Sequence, residues 1–492
     1  MQSIGKKDYW RFGSLALLAV SLLGPTENVS AADQGPSSSQ PPYIVKVPKG
    51  ATPIKSILTV GDSVNNKPDG TPYRMVGIPD GMGAFDNGDG TFTLLMNHEL
   101  TSDKGISRAH GAKGSFISKW IIKKGGLEVR SGEDLIQNIS TWNANASTPS
   151  YNSPATGIAL SRLCSADLPA QSAFYNQDTG LGTMERIFMN GEESGTEGRA
   201  FAHLMNGTSY ELPRLGKFSW ENSVASPGSG DTTVVVGMDD GQGGQVYVYV
   251  GTKTNSGSEI DKAGLTNGQL YGVKVDGYLA ENTATVIPPA TTFTLHNFGD
   301  VSGMTGQALE TASGGNTTTF NRPEDGAWDP SNPNDFYFVT TASFTGNSRL
   351  WRLRFNDRSN PAAGGTIDML LDGSEGQKMM DNMTITKDGK ILIQEDPGNQ
   401  PHIAKIWQYN IATDTMRLVA QHDPNRFTPG ATNFVTQDEE SSGIIDASDI
   451  LGKNWFLLVV QAHSNGGVSD ELVDELVEGG QLLVLHMPPG RD

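Results

Sequence analysis

From Tyr43 onward, apolar residues come in short runs of strand length, punctuated by polar turn residues. Residues 350–355 (LWRLRF) alternate, the period-two mark of a strand. Residues 234–238 and 245–250 flank the turn segment 239–244, and residues 403–409 and 415–420 flank 410–414. Both arrangements predict hairpins. Helical signals are few. The strongest is 468–478 (VSDELVDELVE), with apolar residues at helical spacing behind a Ser469 or Asp470 cap.

The strand pattern repeats. Residues 80–99, 324–341, 381–396 and 440–463 each have an acidic start, a short strand, a polar turn and a strongly apolar strand. The last three begin at near-equal intervals. Hairpins at that period predict an all-β fold, a β-propeller of about six blades with long insertions, and a β-sandwich is the alternative. Residues 104–185 interrupt the pattern. In a propeller, equivalent strand ends converge on one channel mouth. The equivalent positions here are rich in oxygen ligands: Glu324, Asp325, Asp381, Asn382, Glu439 and Glu440 at first-strand starts, and Asn97, His98, Glu99, Glu395, Asp396 and His463 at second-strand ends. Two like charges 4 Å apart repel by about 4 kcal/mol at an effective dielectric near 20, and multivalent cations relieve that. A central metal site is therefore expected.

Composition agrees with the pattern: 59 glycines, 26 prolines and only 18% charged residues suit short strands and turns better than helical bundles. The net charge of −19 excludes the basic face that a nucleic-acid binder needs. At the N-terminus, Lys6, Lys7 and Arg11 precede the apolar stretch 14–24 and the small-residue site Val29-Ser30-Ala31. This predicts a signal peptide over 1–31, cleaved before Ala32, and a periplasmic or extracellular protein. The apolar stretch is too short to span a bilayer, so no stable membrane anchor is expected. No twin arginine is present, which favours Sec export. Residues 32–42 (ADQGPSSSQPP) read as a disordered linker before a single propeller domain, 43–492.

Cys164 is the one cysteine and can form no internal disulfide. It is a buried inert thiol, an intermolecular linker or a metal ligand. Glu192-Glu193 ends a strand-like stretch, and Glu221 sits near Phe218 and Trp220. Asp239-Asp240 ends a valine run. In Arg322-Pro323-Glu324-Asp325 a guanidinium and two carboxylates flank a stiff proline, so one group could hold a cation and the other phosphate oxygens. Serine-elbow, Walker, H-E-x-x-H and C-x-x-C motifs are missing.

In order, MNHE (96–99), Cys164, GEES (191–194), GKFSWENS (216–223), VVVGMDDGQGGQVYVYV (234–250), NRPEDGAWDP (321–330), DNMTITKDGKILIQED (381–396), DEESSG (438–443) and FLLVVQAHS (456–464) resemble the PhoX family of secreted alkaline phosphatases. The resemblance implies an Fe3+ and Ca2+ cluster in the propeller channel and a monomer acting on small-molecule phosphate esters. It makes Cys164 an iron thiolate ligand and Glu193, Glu221 and Glu324 cluster carboxylates. Asp239, Asp240, Glu395, Asp396 and Glu440 are further metal candidates. Arg322 would bind substrate phosphate, with Asn97 as a second catalytic residue. Two other readings stay open: a calcium-dependent propeller esterase, lactonase or phytase-like hydrolase, and a non-catalytic binding propeller.

Overall fold

The computed structural model describes residues 33–47, 53–464 and 468–487. The expected signal peptide lies outside them. Among the described residues, six blades, antiparallel but for one outer strand of blade two, surround one channel. Blade one runs outward from its inner strand Pro79–Asp86 through Thr91–His98, Phe116–Lys123 and Val129–Asp134. Blade two starts with Leu163–Asp167 and Ile187–Glu192. Blade three starts with Trp220–Ala225 and Thr232–Asp239, and blade four with Pro323–Trp328 and Asp335–Thr340. Blade five starts with Met380–Ile385 and Lys390–Glu395, and blade six with Glu439–Asp446 and Trp455–Ala462. The six inner strands pack side by side in this order and close on themselves.

The repeat units in the sequence are the first two strands of blades one, four, five and six. Both expected hairpins form, with Val234 opposite Val250 and Asn410 opposite Thr415. The long insertion 104–185 completes blade one and then adds Asn138–Ser140 to the outer edge of blade two, parallel to Thr208–Glu211. Blades three and four are joined through the pairing of Thr291–Gly299 with Gly365–Leu371.

The apolar strands are buried on both faces because each blade packs against two neighbours. The side chains fall into a separate core at each junction. Leu94 and Leu457 lie in the core between blades one and six, and Val236 and Phe338 in the core between three and four. Burying such a side chain fully contributes about 1.5–3 kcal/mol.

Two expectations are corrected. Residues 33–42 are not a disordered linker: Gly35 N–H donates to Ser56 O at 3.0 Å, and Ser38 Oγ lies 3.0 Å from Thr59 Oγ1. The chain continues as Ile44–Lys46, a fifth strand on blade five. Its polar residues find partners on blade six, which is why a Pro/Ser-rich segment orders. The expected helix over 468–478 shrinks to Val473–Leu476, because no side chain caps it and Val477 adopts φ 65°. Blade six is completed by Ile54–Thr59, which pairs with the C-terminal strand Gly479–His486 and so closes the ring. No helix among the described residues is long and apolar enough to cross a membrane.

Candidate metal centre at the channel mouth

The six blades share one local device. The N–H of the residue just past each second strand donates to a carbonyl at the entry of its own inner strand. The pairs are Glu99–Ile78, Glu193–Arg162, Asp240–Ser219, Thr341–Arg322, Asp396–Met379 and His463–Asp438, at 2.8–3.0 Å. Ile78, Arg162, Arg322 and Met379 adopt positive φ there (48°, 47°, 59° and 44°), a strained turn that aims the following strand at the channel. Two residues further on stand Asp80, Cys164, Glu221, Glu324, Asp381 and Glu440, one from each blade.

A β-bulge follows the entry of every inner strand. In five blades it spans these residues, between Pro79 and Met82, Leu163 and Ala166, Trp220 and Ser223, Pro323 and Gly326, and Met380 and Met383. An extra residue re-aims side chains, so neighbours that would face opposite sides both turn toward the centre. The second residues of four bulges are tied to one another across the channel in two pairs, and one of them also holds a ligand. Ser165 Oγ donates to Glu221 at 2.6 Å, Asn382 donates to Ser165 at 2.5 Å, and Asn222 donates to Asp325 at 2.7 Å. Gly81 fits only as glycine, because a Cβ would stand 2.2 Å from Ala166 N of the next blade.

The result is an arc of four overlapping ligand groups. They are Asp80, Glu99 and Cys164; Cys164, Glu193 and Glu221; Glu221, Glu324 and Asp381; and Asp381, Asp396 and Glu440. Within each group the ligand atoms lie within 4.8 Å of one another, close enough to hold a cation. Burial and mutual repulsion push the carboxyl groups up: Asp80, Glu193, Glu324 and Asp381 well above the usual range, Asp396 to about 7 and Glu221 to about 8. The same causes raise the Cys164 thiol, which donates to Asp80 Oδ2 at 3.3 Å. Beyond the bulges the channel is lined by Ala84, Ala166, Val224, Ala327, Ile385 and Ile445 together with Asp167, Thr384 and Asp446.

Two arginines border the arc. Arg322 gives Nε and Nη2 to Asp240 at 2.7 and 2.9 Å, and Nη2 lies 3.1 Å from Glu324. Arg162 gives Nε to Glu99 at 2.8 Å and Nη2 to Glu193. His463 bridges Glu440 at 3.2 Å and Glu478 at 3.0 Å.

Of the residues expected from sequence, Cys164, Glu193, Glu221, Glu324, Asp396 and Glu440 lie in the arc. Glu395 is turned away: its carboxylate accepts from Lys378 N–H, Lys405 N–H, Trp407 Nε1 and His402 Nε2. Asp239 faces its own blade, where it accepts from Ser219 N–H, and strand alternation sends only Asp240 inward. Asp240 reaches the mouth as the partner of Arg322 and belongs to none of the four groups. Asn97 is fully buried behind the thiol, donating to Cys164 O at 2.6 Å and accepting from Asn190 at 3.0 Å, so it positions that strand rather than facing the mouth. Glu99 and Asp381, expected from the repeat as oxygen ligands at the mouth, complete the site together with Asp80 and Arg162, which were not among the expected residues. Their signal is positional: Asp80 opens a repeat unit as Glu324 does, and Arg162 precedes Cys164 by two residues as Arg322 precedes Glu324.

The fold and the site define a β-propeller protein with a carboxylate–thiol centre suited to cations at the mouth of its channel. A family model described as alkaline phosphatase PhoX matches residues 202–445. That match supports the PhoX-type alkaline phosphatase family for this chain over the segment it covers. Cys164 and Arg162 fall outside the matched segment. Among solved structures, PhoX of Pseudomonas fluorescens in complex with vanadate, a transition state analogue, is 13% identical with a TM-score of 0.65, over 92% of this chain and 97% of that one. A putative TolB from Agrobacterium tumefaciens is 10% identical with a TM-score of 0.32, over 71% and 84%. A sialidase from Trypanosoma rangeli is 10% identical with a TM-score of 0.35, over 91% and 59%. No curated protein sequence matches the chain.

Proposed function

We propose that this protein is a secreted phosphatase that hydrolyses phosphate esters at the channel mouth, with iron and calcium held by the carboxylate–thiol arc. The observation that carries this reading is the arc beside a guanidinium with a free edge. Arg322 uses Nε and Nη2 on carboxylates, and its Nη1 has no partner among the described residues.

The donor set fits cations. Asp80 Oδ1 is buried without a partner, and burial together with the neighbouring carboxylates pushes the Asp80 carboxyl well above its usual range. The thiol among carboxylates in the groups containing Cys164 suits iron. The all-oxygen groups Glu221, Glu324, Asp381 and Asp381, Asp396, Glu440 suit calcium. When bound, such cations polarise phosphoryl oxygens and lower the pKa of water. The remaining work falls to the chain. Asp240 clamps one edge of Arg322, so Nη1 is pre-aimed at a phosphate oxygen, where a fixed donor acts without reorganising.

Elemental analysis and a p-nitrophenyl phosphate assay test this together. The expected result is iron and calcium in the purified protein, with hydrolysis lost on chelation and regained on reloading. Fully metal-loaded protein that leaves phosphate esters intact overturns the reading. Calcium alone, with activity on carboxylic esters or lactones, points to the other propeller hydrolase class.

A further inference from the structure

Arg162 is a second arginine built like the first. Both stand at positive φ, at equivalent entry positions of blades two and four, with blade three between them. Both spend Nε and Nη2 on two carboxylates, Glu99 and Glu193 for Arg162, Asp240 and Glu324 for Arg322. In both, Nη1 has no partner among the described residues. Arg162 is the more open, its side chain 43% exposed against 28% for Arg322. A guanidinium serving only to neutralise two glutamates has no need of that open edge. Its two carboxylates fix its orientation and leave charge facing solvent at the rim of the mouth.

We infer that Arg162 forms a second anion subsite, and that the site favours phosphate esters carrying a second anionic group, such as bisphosphorylated sugars. This rests on the phosphatase reading above. The ester phosphate lies at Arg322 and the second anion reaches Arg162 across blade three. Ser219, the equivalent residue of blade three, is small and uncharged, so that blade sets no third long or charged side chain at this entry position.

The test compares kcat and KM for a hexose monophosphate, the corresponding hexose bisphosphate and p-nitrophenyl phosphate, in the parent, Arg162→Gln and Arg162→Lys, with metal content measured in each. The parent should show a lower KM for the bisphosphate than for the monophosphate, by about tenfold at low salt and less as salt rises. Arg162→Gln should raise KM for the bisphosphate by about ten- to a hundredfold, the range for losing a charge-assisted hydrogen bond. Its KM for the other two substrates should rise less, and Arg162→Lys should restore part of the preference. A parent without preference for the bisphosphate overturns the inference, and that measurement needs no variant to fold. An equal loss on all three substrates, or loss of metal, makes Arg162 a positioning residue for Glu99 and Glu193 and overturns it too. Failure of the phosphatase reading is visible separately, as a metal-loaded parent that hydrolyses none of the three.

Discussion

Asp240→Asn separates two roles that the same carboxylate could fill. Sequence places Asp240 among the metal candidates, whereas the structure spends both its oxygens on Arg322, at 2.7 and 2.9 Å. The carboxamide keeps one acceptor and turns an NH2 toward the guanidinium, so one of the two bonds is lost. A hydrogen bond to a charged group is worth about 1.5–3 kcal/mol. Were all of that spent on aiming Arg322 at phosphate, the loss would be about ten- to a hundredfold, since about 1.4 kcal/mol is a factor of ten. Glu324 still holds Nη2 at 3.1 Å, so the lower end applies. The expected result is parent-like metal content by elemental analysis, with the inhibition constant of inorganic phosphate raised about tenfold and kcat reduced. Loss of metal from Asp240→Asn would return this residue to the ligand set. An unchanged phosphate inhibition constant would mean that Arg322 does not touch the phosphate.

Three further outcomes are expected. Cys164 should resist thiol reagents in metal-loaded protein and react after chelation, and equal labelling in both states would make it an inert core thiol. In metal-free protein Asp396 and Glu221 have folded pKa values raised to about 7 and about 8, above their unfolded ones, so the stability they give is complete in the ordinary carboxylate range near pH 4 and lost as pH rises through about 7 to 8. The thermal midpoint of chelated protein should therefore fall between about pH 5 and 9 while reloaded protein holds its own, and parallel curves would refute the cause assigned to those shifts. Glu395→Gln should cost about 1–3 kcal/mol in denaturant unfolding, because its amide faces donors, yet leave the metal content at the parent level; metal loss would restore it to the ligand candidates.

The architecture was legible because four of the six blades begin with the same acidic start and apolar second strand. Blade two escaped the repeat because residues 168–186 separate its first two strands. The doublets Glu192-Glu193, Asp239-Asp240, Glu395-Asp396 and Glu439-Glu440 show where sequence stops. Strand alternation says that one member of each faces the centre, but register decides which one. In all four the second member reaches the mouth, while Glu192 pairs with Arg199 and Glu439 accepts from Ala404 N–H. The bulges that turn Asp80 and Asp381 inward have no sequence signature of their own. Asn97 illustrates the converse: its place beside the MNHE glutamate suggested chemistry, and its amide instead braces the Cys164 strand.

The pairing of Ile54–Thr59 with Gly479–His486 bears on when this centre comes into being. Gln461 Nε2 lies 3.2 Å from Asp80 and 3.1 Å from Glu440, fastening the first blade to the last across 381 residues of chain. A growing polypeptide therefore carries most of the arc's ligands long before it can enclose them. Until the final strand is made and docks, the last blade lacks the strand that joins its two halves, and the two ends of the arc have no common frame. Cation uptake becomes a late event tied to chain completion. A chain truncated before Gly479 should emerge with all of the arc's ligands and no enclosed place to hold an ion.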